Sequence, residues 1–206
     1  PLYMAVEKKN IEIIKLLLTN DKIDVNIINE ISSVFLDVLL PLIHYNTYKQ
    51  TALHLAVENG EINVIRHLLT NEQIDLNIFK EGSYKIDNIL GKFINIYCVQ
   101  LKITNDLGNV PLQEIYNEKY SETAFFMAVK NENVDIIKIL LTNNDFDINM
   151  LNKCSLLSEG YKFNIKPGNE KYEKAALFLA VEKGNIEIIK LLLTNDDISI
   201  NVLNSE

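Results

Sequence analysis

The feature that most constrains this chain is that it repeats itself. The stretch from Pro1 to Asn26 recurs from Thr51 to Asn77, from Thr123 to Asn149 and from Ala175 to Asn201. The equivalent alanines Ala5, Ala56, Ala128 and Ala180 stand 51, 72 and 52 positions apart, so the copied unit is constant while its connections are not. A unit this short cannot bury an apolar face alone and must stack on its neighbours. The 206 residues therefore predict an elongated array rather than a domain built around one central core.

Within each copy the apolar spacing reads as two short helices. In the second copy, Ala52, Leu53, Leu55, Ala56 and Val57 lie in a narrow first helix, and Ile62, Val64, Ile65, Leu68 and Leu69 in a second that Thr70-Asn71 ends. Gly60 and Gly184 occupy the turn between the helices, where a left-handed conformation is expected. Lys9 and Glu132 hold that slot in the other copies and must tolerate it at a modest local cost.

These residues resemble the ankyrin repeat. Thr51-Ala-Leu-His54 matches the family's Thr-Pro-Leu-His helix start, Pro1-Leu2 keeps its Pro-Leu part, and Ala-Val-Glu-Asn-Gly, the Leu-Leu run and Asp-x-Asn follow in family order. The chain departs from the pattern in the histidine slot, which holds Tyr3, Phe126 and Phe178 as well as His54, and in the threonine slot, which keeps Thr51 and Thr123 but has Ala175. The resemblance implies a mainly α solenoid of stacked helix-turn-helix units with enlarged β-hairpin or loop fingers. Repeat cores fall at 1–26, 51–77, 123–149 and 175–201 of a single array. In this scheme Thr51, His54, Gly60, Thr123 and Gly184 are structural motif residues, with His54 buried and hydrogen-bonded.

An ankyrin unit needs about 33 residues, so the inserts at 27–50, 78–122 and 150–174 hold the chain's individuality. Alternating or β-branched stretches and the Pro167-Gly168 turn signal suit hairpin fingers, with a helix over Ile31–Leu40 as the competing reading. In the second insert, Phe93–Ile103 predicts a strand, and Asp106–Gln113 looks like the opening of an abandoned fifth repeat. Interior-type apolar residues persist in the first and fourth copies, and the chain opens on Pro1, so a segment of a longer array is expected.

Chemistry is harder to find. The seven glycines are never closer than eight positions, which leaves no phosphate cradle. His44, His54 and His67 lack metal-ligand spacing and no Cys-x-x-Cys occurs, so neither a metal nor another cofactor is expected. Asp24, Asp75 and Asp147 recur once per repeat, which suits turn capping better than acid-base catalysis. Cys98 and Cys154 lie in neighbouring fingers and read as inert thiols rather than a redox clasp. Twenty basic against twenty-eight acidic residues repel nucleic acid. The most apolar stretch, Val34–Ile43, is broken by Asp37 and Pro41 and predicts no membrane insertion. Two cysteines and no Asn-x-Ser/Thr acceptor fit a cytoplasmic setting.

The expectation is a non-catalytic, monomeric scaffold that binds a protein partner. The charges Glu12, Lys15, Glu61, Glu187 and Lys190 belong to a solvated convex face. The resemblance places partner binding on the concave side, where the exposed positions are Glu7, Lys8, Glu58, Asn59, Lys130, Asn131, Glu182 and Lys183. These vary among copies while the apolar positions do not, as a recognition surface requires. The alternative is a targeting or regulatory array within a larger multidomain protein, possibly an enzyme.

Overall fold

The computed structural model describes residues 1–37, 42–88, 114–143, 146–157 and 170–201. Each copy folds as the expected pair of short helices: α1 (Leu2–Glu7) and α2 (Ile11–Leu18), α3 (Ala52–Glu58) and α4 (Ile62–Leu68), α5 (Ala124–Lys130) and α6 (Val134–Leu140), and α7 (Ala176–Lys183) and α8 (Ile186–Leu192). Local chemistry sets the boundaries. Asn10, Asn133 and Asn185 cap the second helices, each accepting the N–H three residues on at 3.1 Å.

The first helices end in one shared device. In the first copy the Lys9 N–H donates to the Val6 carbonyl and the Asn10 N–H to the Ala5 carbonyl, and the same pair of bonds recurs in the other three. This is a Schellman turn, which needs a left-handed residue after the cap. Gly60 and Gly184 supply it at φ of 70° and 69°, and Lys9 and Glu132 adopt it at 54° despite their side chains.

The helix pairs stack in chain order, with first helices on first helices and second on second. Ala5, Ala56, Ala128 and Ala180 are buried where the first helices approach, and Ile14, Ile65, Leu68, Ile137, Leu140, Ile188 and Leu192 fill the space beneath. One apolar cluster runs through all four copies. Burying each such aliphatic side chain contributes about 1.5–3 kcal/mol, which short helices cannot supply to themselves.

The inserts require a correction to the mainly α expectation. They do form hairpin fingers, but among the described residues the fingers join into one six-stranded antiparallel sheet in the order β1 (Asn29–Asp37), β2 (Leu42–Gln50), β3 (Phe79–Asn88), β4 (Glu114–Thr123), β5 (Asn152–Leu157) and β6 (Glu170–Lys174). The pairings β1–β2, β3–β4 and β5–β6 lie within inserts, whereas β2–β3 and β4–β5 bridge consecutive inserts. Residues 31–37 belong to β1, so the strand reading prevails over the helix there. The strand expected at Phe93–Ile103, the repeat remnant at Asp106–Gln113 and the turn at Pro167-Gly168 lie outside the described residues.

Candidate functional site

The positions expected to bind a partner fall at the ends of the first helices, beside the sheet. Glu7, Glu58 and Lys130 are the last residues of α1, α3 and α5, while Lys8, Asn59 and Asn131 cap them. Glu182 and Lys183 close α7. All eight residues are exposed, and because α1, α3, α5 and α7 pack in sequence, they form a row along the array.

Four of the eight are tied to structure. Lys80 of β3 donates to Glu58 at 2.8 Å, Lys130 to Glu122 of β4 at 2.6 Å, and Lys174 of β6 to Glu182 at 2.7 Å. The sign of the helix-end charge changes between copies, and the strand residue changes with it. These pairs therefore fasten the sheet to the helices. Lys183 instead donates to Glu132 of the preceding copy at 3.3 Å. Hydrogen bonds from Asn185 and from Lys183 hold the Glu132 carboxyl below its ordinary range.

Lys80 is buried, with its ammonium 5.0 Å from the centre of the Tyr48 ring as well as on Glu58. Gln50 is also buried and donates through Nε2 to the Tyr3 hydroxyl at 2.7 Å. Burial pushes both phenols up, and the Glu7 and Glu58 carboxylates add to it. Tyr48 pairs with Gly82, which pairs with Tyr120 across the next strand boundary. A Cβ at Gly82 would collide with the Tyr120 ring.

At the starts of the first helices the motif residues form local hydrogen bonds, and residues of the sheet add to them. Thr51 caps α3, and His54 reciprocates with Nδ1 2.7 Å from the threonine hydroxyl and 3.3 Å from the Thr51 N–H. With Nδ1 accepting from that N–H, the imidazole proton sits on Nε2. Burial, then the Lys80 charge, lowers the His54 pKa to about 4, against partial opposition from the Ile78 and Glu122 carbonyls. In the third copy Phe126 cannot reciprocate, and Asn152 of β5 accepts the Thr123 N–H at 2.6 Å instead. The repeat motif gave no sign of this exchange.

Sequence reasoning also missed an asparagine ladder. Asp24, Asp75 and Asp147 cap turns as expected, each accepting the N–H of the asparagine two residues on. Those asparagines then reach the next copy. Asn26 donates to the Gln73 carbonyl at 2.7 Å, Asn77 accepts from the Asp147 N–H at 2.8 Å, and Asn149 donates to the Asp197 carbonyl at 2.8 Å and accepts from the Ser199 N–H at 2.7 Å. The charges expected on a convex face also cross copies. Glu61 pairs with Lys9, and Glu187 lies 3.7 Å from Lys138, while Glu12 pairs with Lys15 within α2.

On the sheet face opposite Tyr48 and Lys80, a shallow groove of about 460 Å³ is lined by Ile28, Glu30, Lys49, Ile78, Phe79 and Glu81. Among the described residues there is no group of three His, Cys, Asp or Glu side chains placed to hold a metal. No helix among them is long and apolar enough to cross a membrane. Cys98 lies outside the described residues, so the clasp with Cys154 is not addressed by them.

The sequence profile of ankyrin repeats in three copies matches residues 1–80 and 95–204. An ankyrin repeat protein of fowlpox virus (strain NVSL), FPV022, is 28% identical over 192 residues, an alignment that takes in 75% of this chain and 32% of the viral protein. The chain thus spans about a third of the length of that relative. The chain belongs to the ankyrin repeat family.

Proposed function

We propose that this chain is a non-catalytic protein-binding scaffold whose partner lies in the corner between the first helices and the sheet. Ankyrin repeats in general mediate protein–protein interaction. The observation that carries the reading here is the six-stranded sheet, which turns separate fingers into one surface alongside the row of helix ends. In this reading the helix pairs form a solenoid and the corner is its concave side. The anchors are the helix-end residues outside the ion pairs described above, Glu7, Lys8, Asn59 and Asn131, with Tyr3 and Tyr48 beside them. Charged residues such as Glu58, Lys130 and Glu182 hold the corner's shape. The net charge of -8 favours a partner with a basic patch. The scaffold acts in the cytoplasm, where reduced thiols persist.

Affinity capture of a discrete protein tests this. Replacing Lys8, Asn59 and Asn131 together by alanine should abolish capture while leaving helicity and melting temperature unchanged. Undiminished capture would move recognition away from the corner, the groove on the opposite face being the next place to test. A second reading is a targeting or regulatory segment of a longer protein, which the small share of the viral relative covered by this chain favours. Full capture by the chain on its own, unaided by flanking sequence, would count against it.

A further inference from the structure

The turn between α3 and α4 carries a dipeptide that the other copies lack. Its two residues are Asn59-Gly60, where the other copies have Lys8-Lys9, Asn131-Glu132 and Lys183-Gly184. No other asparagine in the sequence is followed by glycine. Asn59 is exposed, and its side chain makes no hydrogen bond among the described residues. The space that a side chain at Gly60 would fill is open.

We propose that Asn59 is a site of intramolecular deamidation, controlled by opening of the α3–α4 turn. The nucleophile is the Gly60 amide nitrogen. It bonds to the side-chain carbonyl carbon of Asn59 while the bond from that carbon to Nδ2 breaks, and ammonia leaves with the proton given up by the Gly60 N–H. Water then opens the cyclic imide. Attack at the side-chain carbonyl gives aspartate, and attack at the main-chain carbonyl gives isoaspartate. Glycine favours closure because no Cβ shields its nitrogen and its backbone rotates freely.

The folded turn holds the reaction back. With φ of -81° and ψ of -6°, Asn59 continues the helix and keeps the Gly60 nitrogen turned from its own side chain. The Gly60 N–H is donated to the Val57 carbonyl at 3.1 Å, and the Glu61 N–H to the Ala56 carbonyl at 2.9 Å. Both bonds must open before the imide can form, a local event at an exposed turn rather than global unfolding. Either product then changes the corner. Aspartate sets a second negative charge beside Glu58 at the C-terminal end of α3, which the helix dipole disfavours. Isoaspartate adds a methylene to the main chain inside the Schellman turn. An effect on partner capture rests on the scaffold reading, in which Asn59 is an anchor, whereas the chemistry at Asn59 does not.

Peptide mapping by mass spectrometry, on the full chain held at mildly alkaline pH, tests the proposal. Asn131 is the internal comparison, since it caps α5 in the same turn but precedes Glu132. Asn59 should convert at least about tenfold faster than Asn131, a barrier difference of about 1.4 kcal/mol. Urea should accelerate Asn59 as the turn opens. Gly60→Ala should slow it even though the same change loosens the turn, and Glu132→Gly should make Asn131 reactive. Equal rates at Asn59 and Asn131, or an Asn59 rate indifferent to urea or to Gly60→Ala, would overturn the proposal. Partner capture is read separately on fully converted chain. Unchanged capture would remove Asn59 from the anchors and leave the modification site standing.

Discussion

The Asn26 side-chain oxygen accepts a hydrogen bond from the Asp75 backbone N–H at 2.9 Å, although the two residues are 49 positions apart in the chain. Asp75 in turn caps the turn that presents Asn77 to the next copy. Each boundary is thus held by an amide whose own position was set by the boundary before it.

Asn26→Ala should destabilise the protein by about 1–2 kcal/mol, the loss of two modest hydrogen bonds to backbone. Urea denaturation read by circular dichroism would measure it. Asn149→Ala should cost a similar amount and add to the first, because the two boundaries are far apart and share no partners. A neutral result at either site would mean that water replaces the side chain without loss.

Gly60→Ala should cost about 1 kcal/mol, since its left-handed conformation disfavours a Cβ. The space around Gly60 is open, so the loss should come from backbone conformation and not from a clash. Gly60→Asn should cost less, asparagine tolerating that conformation better. Comparing the two in urea separates the causes, because a steric penalty would fall harder on the larger side chain.

His54 should make stability acid-sensitive. The unfolded chain takes up a proton near the ordinary value of 6.5 and the folded chain only near 4, so the unfolded state binds more protons between them. Stability is therefore full above pH 6.5 and falls as pH drops toward 4, by up to about 3 kcal/mol. His54→Phe, which places in the second copy the residue found at 126 and 178, should remove this component from a pH series of unfolding free energies. The variant should also lose some stability at neutral pH, where the Thr51 N–H is left without its acceptor.

Gly82→Ala should destabilise by about 1–3 kcal/mol through overpacking, because the new methyl meets the Tyr120 ring. Combining it with Tyr120→Ala should recover part of the loss. Thermal melts of the four proteins in this cycle would show whether the two residues are coupled.

The helix pairs were legible because their causes are local. Apolar spacing, the capping asparagines and the glycine turns recur within a few residues, and even the strained turns at Lys9 and Glu132 followed from aligning the copies. The sheet was only half legible. Alternation marked strands but not their partners, and the pairing of Tyr48 with Gly82 joins one insert to the next. The candidate site suffered similarly, since Glu58 looked like a free recognition residue until Lys80 was placed beside it. Lys80 stands where the other copies have Asn29 and Asn152, so repeat averaging hides it. The asparagine ladder did leave a signal in the recurrence of Asn26, Asn77, Asn149 and Asn201, which could have been read together with the aspartates.

The continuous sheet also limits how such a gene can lengthen. Because neighbouring strands run in opposite directions, a duplication that carries one hairpin with one helix pair preserves both the direction and the facing of every later strand. A copy that gained or lost a single strand would reverse the polarity of everything downstream, and a slip of one residue would turn the inner face outward. Duplication by whole finger-and-helix modules therefore keeps the order and facing of the strands that the antiparallel pairing requires, whereas a change in strand number does not.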